Sequence, residues 1–477
     1  MIPVVFFLYV VIALWYLFGV MRRQWYLNPG PLFVLQQLVF FLGMLPLFDS
    51  SIEADNVHAA MCLGALCMFI AGNVFCQVVI PNVRTGRSFW AASVCRVETK
   101  GMFNALILLI IATSVVVSFF YYRAVGYNLF LEGLLSLVTG SSQLGDVTTR
   151  RLNSYAGGQY FAAGYVNQFK NVLFPLLLSY LLARYILIRR RRDLFLVILL
   201  SPLCLLFILG TGQRGAMFLS CVTAVLFFMS SLPRKSKRVV IVVVGAMLCA
   251  TLLLSTLILG RKVSSLGSEG GAATLGMEVL DRFTSGNETA AVSGFRYIYD
   301  KPLHFGLGEW VYAFRDILPG HERRIGLASD LFKVFYGSNR GTAPASIWGG
   351  AWYEFGAAGV LGLAFVLGMS YHAIYARLCR GEKRLSRLLT YAAITQIFGT
   401  WGVGGPETLF NVGLISVLML MMLIKISVKL DGARGFVSVW VGRRTDSRLP
   451  QIAEGASTSG SLTAALRLAK GDANASA

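Results

Sequence analysis

Runs of about 20 apolar residues recur along the whole chain, separated by polar connections. A helix of that length spans the hydrocarbon core of a bilayer. Membrane β-barrels alternate polar and apolar residues instead, and that is not the pattern here. The pattern predicts an all-α, polytopic integral membrane protein of about eleven spans. They are expected at 2–20, 31–48, 57–80, 102–122, 165–188, 194–210, 216–232, 239–260, 346–376, 388–404 and 408–428.

The connections alternate in charge. "MRRQWY", "VRTGRSFWAASVCRVETK", "IRRRRD", "PRKSKR" and "RLCRGEKRLSR" are basic, whereas "DSSIEADN" and "GGPET" hold no Lys or Arg. Because basic loops stay on the cytoplasmic side, the N-terminus is expected outside and the C-terminus in the cytoplasm. Two outside loops are long, at 123–164 and 261–345, and loops of that length usually carry function. The membrane domain then covers 1–428. The tail at 429–477, ending in Gly, Ala and Ser, is expected to be cytoplasmic and partly disordered. Short surface helices are expected in the larger loop. "TLGMEVLDRF" places Leu275, Val279 and Phe283 on one face, and "DLFKVFYG" does so with Leu331, Val334 and Phe335.

Composition agrees with a membrane chain: of 477 residues, 56% are hydrophobic and 14% charged. Lys and Arg number 43 against 23 Asp and Glu, a formal +20. Much of that excess is topological, so no nucleic-acid partner is expected. The eight cysteines form no CxxC and read as small packing residues. The first span lacks a basic leader and a small-residue cleavage site, so it is expected to remain uncleaved. No internal repeat is visible, and broken helices of the transporter kind are not expected.

Candidate chemistry concentrates in the long loops. Arg150 and Arg151 lie in the first, and Arg282, Arg296, Arg323 and Arg340 in the second, where acidic residues nearly balance the basic ones. Such a surface is either a salt-bridged solvated layer or a site for phosphate oxygens, which forked guanidinium donors fit. Arg214 stands in "GTGQRGAMF", between glycines at a membrane edge. An arginine there is costly unless it meets water or a partner, so it either snorkels or holds an anion. Candidate bases are His304, His321, Glu309, Asp330 and Glu354, because His58 and His372 fall in spans. Trp310 belongs to an aromatic group that either stacks on sugar rings or forms a small core. No DxD is present. Glu53 and Asp55 share a short loop, and neither a metal nor a cofactor is expected.

Three stretches resemble the O-antigen polymerases (Wzy type), a family of oligosaccharide repeat unit polymerases related to the O-antigen ligases. "GTGQRGAMF" is similar to that family's G-x-R-G turn between central spans. "GYVNQFKNVLFPLLL" looks like its return to the membrane after the first long loop. "APASIWGGAWYEFGAAGVLG" is similar to its re-entry after the large loop. Family members often carry an acid where Gly350 stands; here the acid is Glu354. Ligases carry a histidine before the glycine-rich stretch, and "TAPASIW" has none. The resemblance implies metal-independent glycosyl transfer from a polyprenyl-pyrophosphate-linked oligosaccharide, in a multi-pass protein of a bacterial inner membrane. Arg214 and loop arginines would hold the leaving pyrophosphate, and a base would deprotonate the acceptor sugar. Membrane lipids, a chain-length regulator and a flippase would be partners. An O-antigen ligase, or a flippase moving lipid-linked sugar without chemistry, are the competing readings.

Overall fold

The computed structural model describes residues 1–21, 27–80, 89–90, 94–99, 101–139, 165–212, 214–233, 236–246, 248–249, 286–303, 306–315, 326–337, 342–432 and 436–441. Of the described residues, 83% are helical. Helices α1 (Ile2–Met21), α2 (Pro29–Met44) and α3 (Glu53–Val79) come first. Strand β1 (Val94–Glu98) precedes α4 (Gly101–Val125) and α5 (Leu129–Thr139). A π-helical segment, Gln168–Leu173, leads into α6 (Phe174–Ile188), followed by α7 (Arg191–Leu209) and α8 (Arg214–Ser231). In the large loop lie α9 (Gly286–Tyr299), α10 (Gly308–Arg315) and α11 (Leu327–Tyr336). Then come α12 (Ser346–Cys379), α13 (Leu385–Gly399), α14 (Pro406–Asn411), α15 (Leu414–Asp431) and strand β2 (Phe436–Trp440).

Among the described residues, seven helical stretches are long and apolar enough to cross a membrane, as expected of a multi-pass membrane protein. They are Ile2–Gly19, Pro29–Leu47, Glu53–Val79, Gly101–Val125, Tyr165–Ile188, Arg191–Leu209 and Ser346–Cys379. Large apolar side chains such as Phe7, Trp15 and Phe18 point outward from α1, a surface that suits lipid rather than water. Three further expected spans coincide with α8, α13 and α15. These are shorter or, for α15, carry Lys425 and Lys429. Most of the expected span at 239–260 and the helix expected at 274–283 lie outside the described residues.

Helices α3 and α12 form the spine. A Cβ on Gly72 would sit 2.1 Å from the Phe365 carbonyl oxygen, and one on Gly368 would sit 2.0 Å from that of Phe69. Only glycine permits that approach, which lets two backbones pack where no hydrophobic effect drives them together. Gly64 meets Leu361 on the same seam, so the two helices run parallel and begin at the same end of the bundle. The long-loop helices gather there, and we term it the loop end.

Three features depart from the sequence pattern. First, α12 is broken at Gly356, whose φ of 62° and ψ of −150° suit glycine alone. Residues 357–379, about 34 Å of helix at 1.5 Å per residue, suffice to span a membrane without the ten before the break. Second, the chain enters α6 through a π segment. The expectation of no broken helices is therefore corrected: each break falls inside a stretch long enough to read as one continuous span. Third, the fold is not purely helical. β2 pairs antiparallel with β1, Val94 opposite Trp440 and Glu98 opposite Phe436. The start of the tail is thus ordered, and residues 442–477 lie outside the described residues.

Beneath the sheet, at what we term the basic end, Glu98 is buried and accepts from Tyr180 Oη (3.0 Å) and Ser386 Oγ (2.5 Å). Burial pushes its carboxyl above the usual range, while those donors pull it back. Nearby, Arg184 grips Asp193 through Nε and Nη2, both at 2.7 Å, and both residues are buried. That pair locks the end of α6 to the start of α7.

Candidate functional site

At the loop end, the first turn of α3 presents Glu53 and Asp55. Buried Asp55 accepts from Arg296 Nε (2.8 Å) and Nη2 (2.6 Å) and from the Asp49 N–H (2.7 Å). Arg296 Nη2 also donates to the Leu47 carbonyl at 2.9 Å. These bonds hold the guanidinium charged more firmly than usual, Asp55 being the main cause. Tyr299 Oη donates to Glu53 at 3.1 Å. The acidic pair therefore clamps α9 onto α3. Arg296, expected at a phosphate, has its fork filled by a carboxylate.

Carboxylates also organise the two helices that follow. The Glu309 N–H, in the first turn of α10, donates to Glu354 Oε1 at 3.1 Å. The Leu327 N–H, at the start of α11, donates to Glu309 Oε1 at 3.2 Å. Helix starts leave N–H groups unpaired and carry partial positive charge, so an anion at each is doubly favourable. Glu354 of α12 thus seats α10, and Glu309 of α10 seats α11. Trp310 meets Trp401 edge-on at 5.6 Å and Phe314 meets Phe410 at 6.3 Å, which fixes α10 against α14 and the turn before it. In α11, Leu331 is buried and Phe335 packs beside Tyr297, but Val334 faces outward. Only two of the three expected residues share the buried face.

Under this roof lies a cavity of about 660 Å³. Glu309, Tyr312 and Ala313 close it from α10, and Ala328 and Ser329 of α11 from the other side, with Gly326 just before that helix. Its walls are largely aliphatic, from α4, α6, α8, α13 and α15, with Asn167, Gln168, Asn171, Ser220, Thr223 and Gln396 placed among them. These polar groups hold one another. Ser416 Oγ donates to Gln168 Oε1 (2.8 Å), Thr223 Oγ1 to Gln396 Oε1 (3.2 Å), and Ser220 Oγ to the Asn171 carbonyl (3.0 Å). Met419 and Leu423 also line the cavity and are exposed on the outer surface of α15. The space therefore runs from a polar roof to a lipid-facing side. An amphiphile with a polar head and a long apolar chain fits such a shape.

The π segment shapes the wall. Its wider turn sends Gln168, Phe169, Asn171 and Val172 to the cavity and turns Lys170 away. Lys170 is fully buried, its Nζ 3.3 Å from Asn171 Oδ1 and 5.5 Å from the centre of the Tyr121 ring. Sequence reading passed over it. The signal was present, since a lone lysine inside an apolar run is rare and usually functional.

Of the expected site residues, the structure brings Glu309, Glu354 and Trp310 together at the roof and places Arg296 apart, on Asp55. Arg214 is the first residue of α8, after a turn in which Gly212 has φ of 73°, and Ala216 two positions on lines the cavity. Arg150, Arg151, His304, His321, Arg282, Arg323 and Arg340 lie outside the described residues. Within the described residues no cluster of three or more His, Cys, Asp or Glu could hold a metal ion. Comparison with protein-family models, curated proteins and solved structures found no match to the chain.

Proposed function

We propose that the protein polymerises lipid-linked oligosaccharide repeat units, by glycosyl transfer from a polyprenyl-pyrophosphate donor at the loop end. The observation that supports this most is the cavity beneath α10 and α11, with a carboxylate in its roof and an apolar flank reaching the lipid-facing side of α15. In this reading the polyprenyl chain lies against Met419 and Leu423, and the pyrophosphate rises toward the start of α8. Arg214 neutralises charge developing on the leaving group, with help from loop arginines. Glu309, the carboxylate that lines the cavity, takes the proton from the acceptor hydroxyl. Arg296 and Glu354 then act as positioning residues, holding the roof in place. The loop end would face the outside of a bacterial inner membrane.

A second reading draws support from the helix breaks. Carriers use interrupted helices to line their substrate path, and the π segment and Gly356 are such interruptions. Here a flippase would move the lipid-linked sugar without joining it. Purified protein in liposomes, supplied with lipid-linked repeat units, separates the two. Polymerisation yields a ladder of longer products without energy input, whereas a carrier leaves every unit its original length. In cells, deleting the gene should remove the polysaccharide ladder and keep a band of one repeat. Loss of every band would instead favour a ligase or a flippase.

A further inference from the structure

The basic end contains a second hollow, of about 990 Å³. It lies between the end of α12, the start of α13, the end of α15 and the β1–β2 sheet. Five arginines and two lysines line it against one carboxylate, Glu382. That carboxylate is already shared: Arg96 Nη1 reaches it at 2.7 Å and Arg384 Nε at 2.8 Å. Arg377, Arg380, Arg387, Lys425 and Lys429 meet no carboxylate among the described residues. The Arg387 guanidinium is held over Gly381, where a Cβ would collide with it, and its buried Nε finds no acceptor among the described residues.

Basic residues at this end have a bland explanation, because topology alone favours cations there and the ends of α12 and α15 favour them too. Topology does not require them to converge on one hollow. Nor does it explain the wall opposite. Met421, Ile424 and Val428 of α15 line the same space, on the face that also carries Lys425 and Lys429. Neighbouring Met422 and Ile426 are exposed on the outside of that helix. A concave group of cations beside an apolar stripe, at the end of membrane helices, has the chemistry of a phospholipid site. The arginines offer forked donors to phosphate oxygens, and the stripe offers a bed to acyl chains.

We propose that this chamber binds the phosphate headgroup of an anionic membrane phospholipid, whose acyl chains lie along α15. The site is separate from the cavity at the loop end and does not depend on what that cavity does. A soluble phosphate compound shares the headgroup's chemistry but has no use for the apolar stripe.

Native mass spectrometry of the purified full chain in detergent tests this, titrating phosphatidylglycerol, phosphatidylcholine and inorganic phosphate in separate arms. Phosphatidylglycerol should bind saturably, and phosphatidylcholine weakly. Lys425→Gln with Lys429→Gln should weaken phosphatidylglycerol binding about thirtyfold. Arg377→Gln with Arg380→Gln should do the same, and all four side chains are exposed, so the fold should tolerate the changes. Arg191→Gln with Arg192→Gln removes equal charge from exposed positions outside the chamber and should change binding by less than about twofold. Equal losses in the Arg191/Arg192 control, or equal binding of phosphatidylcholine, would overturn the proposal. Displacement of the lipid by millimolar inorganic phosphate would overturn the lipid as the ligand.

Discussion

At the loop end charge is spent inside the protein. Asp55 fills the fork of Arg296, and Glu354 and Glu309 seat the helices that follow. At the basic end Arg377, Arg380, Arg387, Lys425 and Lys429 line one hollow and meet no carboxylate among the described residues. The loop-end cavity is accordingly aliphatic with a few amides and hydroxyls, whereas the basic-end chamber is cationic with one apolar wall. Polar groups that satisfy one another build a shaped, stable roof. Cations that meet no carboxylate build a place for an anion. Sequence reading counted arginines at the loop end as ligands in waiting, yet the best-described of them is a clamp.

The contrast can be broken or sharpened by substitution. The largest loss of stability is expected at the basic end from Asp193→Ala, which strands buried Arg184. It should cost about 3–5 kcal/mol, read as a lower thermal midpoint of the purified protein. Next, Glu309→Gln should slow polymerisation about a hundredfold in the liposome assay, with the thermal midpoint nearly unchanged. A matching fall in midpoint would mean that Glu309 only seats α11. Arg214→Ala should slow the same reaction by roughly 10- to 150-fold at normal expression. A normal ladder from that variant would move the pyrophosphate elsewhere. Arg296→Lys keeps charge but loses the fork on Asp55, so it should cost about 1.5 kcal/mol of stability. A variant that is fully stable but inactive would return Arg296 to the substrate. Smallest of all, Glu382→Gln breaks half-exposed pairs with Arg96 and Arg384 and should cost less than about 1 kcal/mol.

The helical membrane class was legible because bilayer thickness sets run length, and α1 to α3 fall within a few residues of the expected spans. The helix "DLFKVFYG" was legible for a similar reason, through its apolar spacing. What the sequence hid shares a cause as well. The π turn before α6 and the break at Gly356 lie inside stretches long enough to read as single spans, and no local signal marks the change of geometry. The strand "FVSVW" is five residues long and takes its meaning from a partner more than 300 positions away. Arg296 and Asp55 are 241 positions apart, so nothing local distinguishes a clamp from a ligand. Lys170 was readable by its oddity alone, and its burial could not have been guessed from its neighbours.

The β1–β2 pairing has a consequence for how the protein is made. β2 follows every described helix in the chain, whereas β1 lies before α4. A ribosome therefore releases β1 long before its partner exists, and the strand must wait unpaired while the helices between them are inserted. Phe436 and Ser438 of β2 line the cationic chamber, so the chamber is completed only when synthesis has passed the last membrane helix. An immature chain therefore carries the same arginines without the wall that Phe436 and Ser438 supply.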